Sequence, residues 1–245
     1  MDKLHLIMPM GGCGQRFFDK GFVIPKPLIE IKGKPFFFWS AMSVRKYIPE
    51  CDLTFVVLKE HIENFDIKNK ILNFFPDARI VVIDHVLKGA VLTCMAGVEE
   101  ISDDLPIIFN DCDHMFGCSE LANLDKSDAE LFDGFLLTFV SDSPKFSYAR
   151  CDSEGFVTET AEKNVISHDA ICGAYYFRNK NVFLSNAEEY LKKCSYSEYF
   201  MSGIYNCMVK NGLKSCIIHT DFHVSFGTPD EYAMAENRTE FEVFI

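Results

Sequence analysis

The sequence has no apolar run approaching 18 residues, no C-x-x-C pair, no internal repeat, no low-complexity linker and a single tryptophan in 245 residues. The first absence excludes a membrane-spanning helix. The second leaves the ten cysteines (13, 51, 94, 112, 118, 151, 172, 194, 207 and 216) scattered, without the spacing of a zinc ribbon or a dithiol motif. MDKLHLIMPM reads as a buried first strand rather than a secretory leader. The cysteines are therefore expected to be reduced thiols of a cytoplasmic protein, many of them acting as small core hydrophobes. Cys216, His219 and His223 do not share one strand face, so a zinc site there is set aside. Positive charge is scarce as well. Lys and Arg number 24 against 36 Asp and Glu, a net charge of -12, and no basic stripe exists outside the opening stretch to neutralise a phosphate backbone, which argues against a nucleic-acid partner. What is present is 48% hydrophobic residues with 24 Phe. That is enough for a sizeable core in one large domain or two small ones.

The scarce positive charge is concentrated. Between Gly11 and Pro35 stand Arg16, Lys20, Lys26, Lys32 and Lys34, opposed only by Asp19 and Glu30. The same stretch holds Gly11, Gly12, Gly14, Gly21 and Gly33, directly after the apolar run Leu4–Met8. A dinucleotide fingerprint would need glycine where Phe17 stands, and a Walker loop would need Gly-Lys-Ser/Thr; neither is met. G-G-x-G-x-R-F remains, with Lys26 inside PKPL. Its glycines let backbone N–H groups converge on phosphate oxygens. Arg16 can fork two such oxygens while Lys26 acts as a movable point charge, and Pro25 and Pro27 stiffen the chain around it. The chemistry fits a polyphosphate.

Apolar β-rich runs alternate with helical patterns through the first half. Strands are expected at Leu4–Met8, Leu53–Leu58, Arg79–Ile83 and Pro106–Phe109, and helices at Phe36–Tyr47, Ile62–Phe75 and Ala90–Ile101. This alternation implies a parallel sheet covered on both faces, with ligands at the carboxyl ends of its strands. After Asp113 the runs Gly134–Val140, Phe146–Cys151, Phe156–Glu162 and Ile171–Arg178 read as mixed or antiparallel sheet. Helices follow near Val182–Lys192 and Tyr199–Lys210, then extended chain at Lys214–Ser225 and a closing helix at Pro229–Asn237. The aromatic run PFFFW is expected in the core. One α/β domain of residues 1–245 results, a three-layer arrangement with a polyphosphate-binding half (1–113) and a second half (114–245). Asp111-Cys112-Asp113 follows a strand at its carboxyl end, and alternation would turn both carboxylates to one side as hard ligands for Mg²⁺.

With these pieces in view (GGCGQRF, PKPLIEIKGKPFFFW, FNDCD, AEK followed by GAYYF, and FGTPDEY) nearly the whole chain resembles the nucleotidyltransferases that join NTPs to sugar 1-phosphates. The resemblance implies a Rossmann-like nucleotidyltransferase fold, Mg²⁺ dependence and synthesis of an activated sugar or polar headgroup with release of pyrophosphate. By resemblance, Asp111 binds the metal, Gly11, Gly12, Gly14 and Gly89 belong to the nucleotide site, Glu162 holds acceptor hydroxyls, Lys163 neutralises the acceptor phosphate, and Gly173 lets backbone approach the acceptor. The family's second metal aspartate falls on Ser225 here. Asp221 would lie about 13 Å away along a strand at ~3.3 Å per residue, so Asp113 is the expected substitute ligand. His114 beside the acids could serve as a general base, but it is expected to stand behind them or at the surface, since a phosphate needs no base to ionise it.

Thymidylyl and uridylyl relatives place a base-reading glutamine where this chain has Asp84. A carboxylate only accepts hydrogen bonds, so CTP or GTP is expected in preference to UTP or dTTP. Two rival readings stay open. One is a glycosyltransferase whose D-x-D is Asp111–Asp113, with no use for Arg16 and Lys26. The other is a non-catalytic nucleotide-binding module, motivated by Ser225. The acceptor and homo-oligomerisation are also open.

Overall fold

A computed structural model describes residues 3–124 and 131–244. Strand β1 (Leu4–Met10) lies at the centre of a nine-stranded sheet and pairs in parallel with β4 (Cys51–Leu58) and β6 (Ile107–Asn110). Beyond β4 runs β5 (Arg79–Ile83), also parallel, while β2 (Glu30–Ile31) and β3 (Lys34–Pro35) form a separate antiparallel hairpin. Sheet polarity changes on the other side of β6. There β11 (Asp169–Phe177) is antiparallel to β6, to β8 (Gly134–Val140) and to β9 (Ser147–Cys151). β10 (Val157–Glu162) pairs with β9, and β12 (Ser215–His219) runs parallel to β8. The sheet is thus mainly parallel in its first half and mixed in its second, and it passes through both halves of the chain.

Alternation along β1 sets the two faces. Leu4, Leu6, Met8 and Met10 point into one cluster with Phe37, Ala41 and Val44 of helix Phe36–Arg45 and with Ile67 and Ile71 of helix Ile67–Phe74. Ile7 points the other way, toward Val91 and Cys94 of helix Ala90–Val98, Phe183 of helix Lys180–Lys193 and Tyr205 of helix Ser202–Lys210. Three layers follow, because every central strand has apolar side chains on both faces. PFFFW is core as expected: Phe36, Phe37 and Trp39 are fully buried, and Trp39 Nε1 donates to the Ile31 carbonyl at 2.8 Å.

Several expected elements differ. Ile62–Phe75 is not one helix; helices Lys59–Phe65 and Ile67–Phe74 meet at Asp66, whose φ of 54° lies in the left-handed region. The extended Lys214–Ser225 divides between two sheets. β12 belongs to the main one, whereas β13 (Phe222–Ser225) forms a ribbon with β7 (His114–Gly117), a strand that the local sequence did not signal. Asp221 sits between them and accepts from the Ser119 N–H at 2.8 Å and its hydroxyl at 3.1 Å. It is a helix-capping residue there, not a member of a strand face. Among the described residues no helix is long and apolar enough to cross a membrane.

Phe37 lies against Phe55, Phe74 and Phe75, with ring centroids 5.6, 5.9 and 6.3 Å away. Phe37→Ala is expected to cost about 3–5 kcal/mol, the range for emptying a buried aromatic site. Urea unfolding monitored by circular dichroism measures it, and a loss below about 1 kcal/mol would contradict this packing.

Candidate active site

The opening loop folds around its own lysine. Gly14 adopts φ 65°, and a Cβ there would stand 3.1 Å from Lys26 Cβ. Its left-handed turn starts the short helix Gln15–Phe18, whose Phe17 is buried while Arg16 remains exposed at the rim of a cleft. Arg16 has no ion pair among the described residues. Lys26, on the turn Lys26–Leu28, reaches across to Asp113 with Nζ 2.7 Å from Oδ2. Gly11 is packed: a Cβ would lie 2.6 Å from Ile83 Cδ1.

β6 ends at Asn110, and the Asp111 N–H then donates to the Gly173 carbonyl at 2.9 Å. Gly173 has φ 98°, and a Cβ on it would sit 2.9 Å from Asp111 Oδ2 and 3.2 Å from His114 Nε2. It stands where β11 breaks register between Ile171 and Tyr175. Its immediate role is to admit the aspartate and the imidazole. Asp113 lines the same cleft with different partners. Besides Lys26 it meets the late Gly-Thr segment, since the Phe226 N–H donates to the Asp113 carbonyl at 3.0 Å and a Cβ on Gly227 would fall 2.5 Å from its Oδ2.

The cleft has a volume of about 520 Å³ and brings together Arg16, Asp111, Asp113, Glu162, Lys163 and Gly173. Gly11, Gly12, Gly14, Lys26, Asp84 and Gly89 are not in its lining. Gly89 (φ 108°) has its own reason: a Cβ would be 2.4 Å from the Tyr199 backbone nitrogen, where Tyr199 bridges Lys88 and Val91. Asp84 is exposed on the bend after β5. In the second half Glu162 receives hydrogen bonds from the Ser147 and Ser202 hydroxyls. Lys163, in the left-handed region at φ 53°, holds Nζ 5.1 Å above the Phe200 ring. The cleft also contains residues that the sequence did not single out. Lys145 lies 3.7 Å from Glu231, and Ser147 is opposite Glu162 in the β9–β10 register. Only the strand register could have paired Ser147 with Glu162; Glu231 stood in the quoted FGTPDEY without a sign of where it points.

The two aspartates are in different electrostatic states. Burial pushes the Asp111 carboxyl up, and nearby Asp113 adds to this, to about 7. Burial also works against ionised Asp113, but Lys26 outweighs it and holds that carboxyl below its usual range. The same attraction lifts the Lys26 ammonium despite burial. Burial lowers His114 to about 4 and His223 well below the ordinary histidine value. A divalent cation fits this arrangement at one point. Asp111 offers hard carboxylate oxygens with no cation paired to them, and Mg²⁺ commonly takes one or two carboxylates with substrate phosphates and water. Among the described residues no group of three side chains could hold a metal alone. Asp113, the expected substitute for Ser225, already has a cation partner.

No protein-family model and no curated protein matches the sequence. Solved structures do match the fold. A nucleoside-diphosphate-sugar pyrophosphorylase from Vibrio cholerae RC9 is similar with TM-score 0.84 and 23% identity, over 95% of this chain and 100% of that one. An inositol-1-phosphate CTP transferase from T. maritima gives 0.72 and 13%, over 100% and 94%. A UDP-glucose pyrophosphorylase complexed with UDP-glucose gives 0.74 and 16%, over 97% of each. The chain has the Rossmann-like α/β fold of these enzymes.

A raised Asp111 contributes stability to the metal-free protein that is lost as pH rises. Above about pH 4 the unfolded carboxyl has released its proton while the folded one still holds it, so the folded state binds more protons and the slope is negative until about pH 7. In EDTA, Asp111→Asn is expected to melt at a higher temperature than the parent at pH 8, with the gap shrinking toward pH 4. A gap that does not change with pH would refute the assignment.

Proposed function

We propose that the protein transfers a nucleotidyl group from an NTP to a phosphorylated small molecule and releases pyrophosphate. The observation that carries this reading is the meeting of an unpaired Arg16, a cation-free Asp111 and Lys163 in one cleft. An oxygen of the acceptor phosphate attacks the α-phosphorus. The bond from that phosphorus to the bridging oxygen breaks, and the oxygen leaves with pyrophosphate. No proton need be removed from the attacking group, because a phosphate monoester is already ionised at neutral pH.

Arg16 holds the departing β- and γ-phosphates with backbone N–H groups of the glycine loop. Lys26 moves from Asp113 toward the α-phosphate, and Asp113 orients it. Lys163 neutralises the acceptor phosphate, while Glu162, braced by two serine hydroxyls, accepts from acceptor hydroxyls. Mg²⁺ held by Asp111 would supply neutralisation of the nucleotide's phosphate charge. Catalysis by this chain's residues is positioning and preorganised charge. The pairing of Asp113 with Lys26 favours this reading over a D-x-D glycosyltransferase, which would turn both carboxylates to one ion.

A matrix of NTPs against glucose 1-phosphate, myo-inositol 1-phosphate, glycerol 3-phosphate, phosphocholine and phosphoethanolamine, read by pyrophosphate release, tests the proposal. Turnover of at least one pair is expected, and nucleotide binding without turnover throughout would support the non-catalytic alternative. Arg16→Ala is expected to lower kcat/KM by roughly 10²–10³, the scale for removing one preorganised donor. Wild-type turnover in that variant would sink the phosphate clamp. Asp84 carries a second proposal, that CTP or GTP is used in preference to UTP or dTTP. Titrating these nucleotides at fixed acceptor checks it, and a preference for UTP or dTTP would reject it.

A further inference from the structure

Lys163 lines the cleft and, among the described residues, forms no ion pair, although Glu162 is its chain neighbour. The Glu162 carboxylate is engaged elsewhere, accepting from the Ser147 and Ser202 hydroxyls. What Lys163 meets instead is an aromatic face. Its Nζ stands 5.1 Å from the centroid of the Phe200 ring, and Phe200 lines the same cavity. The lysine backbone is fixed at the end of β10, with φ 53° and its N–H donating to the Phe146 carbonyl at 3.1 Å. That does not fix the four-carbon stem. An exposed lysine without a partner samples many rotamers, and ordering it costs entropy when a ligand binds.

Phe200 is held from several sides. It lies between helices Lys180–Lys193 and Ser202–Lys210, where its N–H donates to Tyr190 Oη at 3.3 Å and its carbonyl accepts from the Gly203 N–H at 3.2 Å. Tyr196 meets its ring edge to face at 5.8 Å. The adjoining Tyr199 is tied by backbone hydrogen bonds to Lys88 and Val91. An aromatic ring attracts an ammonium through its quadrupole and brings no charge of its own. Lys26 is the contrast, because Asp113 sets a full opposite charge against it. Over Phe200 a lysine is kept in place with its charge still available to an incoming anion, and its rotamer freedom is restricted before the anion arrives.

We propose that Phe200 is a positioning residue for the acceptor phosphate, holding the Lys163 ammonium at the cleft without neutralising it. This rests on the nucleotidyl-transfer reading above. Phe200→Leu keeps apolar bulk and removes the aromatic face. With the best acceptor of the five-compound panel, it is expected to raise the acceptor KM about fivefold, the scale of an exposed cation–π contact, with kcat and the NTP KM little changed. Phe200→Tyr, which keeps the face, is expected to retain the parent KM. In a Lys163→Met background Phe200→Leu is expected to add no further loss, since no cation remains for the ring to hold. A readout independent of turnover is the proton spectrum of the ligand-free protein. The ring current of Phe200 should move the Lys163 Hε resonances upfield in the wild type, which needs no variant to fold. An unchanged acceptor KM in Phe200→Leu, an equal loss in Phe200→Tyr, an additive loss in the Lys163→Met background, or wild-type Lys163 Hε resonances at the ordinary lysine position overturns this proposal and leaves the transferase reading standing. Wild-type protein that turns over no pair in the matrix overturns both.

Discussion

The contact between Lys26 and Asp113, 2.7 Å from nitrogen to oxygen, ties three distant parts of the chain together. Gly14 folds the opening loop against the stem of that lysine, and the Asp113 carbonyl and carboxylate receive Phe226 and Gly227 from the late Gly-Thr segment. Removing either partner would leave a charge in a poorly solvated cleft, which is costlier than losing a surface pair. About a quarter of each side chain still meets solvent, so screening moderates that cost. The cleft's geometry depends on this pair because its opening loop, acidic turn and closing segment have few other polar ties.

The first half of the fold was legible because its signals are local. Alternation in LHLIMPM, apolar runs of strand length and a proline before FFFW each act within a few residues. The turn at Gly14 was legible for the same reason. The β7–β13 ribbon was not, because four residues of HMFG carry no pattern apart from the partner strand that covers them. The break at Asp66 escaped notice because a left-handed non-glycine residue is chosen by packing on both sides rather than by propensity. Asp111 and Asp113 were correctly placed at the end of a strand. The partner of Asp113 was hidden, since Lys26 reaches it from a turn 87 residues earlier and only tertiary packing brings the two together.

Identities of 13–23% with TM-scores of 0.72–0.84 show how little sequence this fold needs. A core tolerates exchange of apolar residues at similar volume, so the pattern persists after the letters have changed. Positions that meet backbone or charge are less free. Gly173 cannot gain a side chain without displacing Asp111 or His114, and Gly89 cannot without displacing Tyr199. Function does not follow from fold alone. It has to be argued from the groups that these constraints bring into the cleft.

The asymmetry between the two aspartates gives that argument its direction. Asp113 is ionised because a cation already faces it, so in the free protein it attracts further positive charge only weakly. Asp111 is half-buried beside Asp113 with no cation paired to it, and desolvation with that neighbouring charge pushes its carboxyl up, to about 7. On the proposed reading Asp111 would hold a divalent cation, whose charge would offset the cost of ionising that carboxyl. On the same reading Lys26 would turn toward the nucleotide's phosphate while Asp113 stays close enough to orient it.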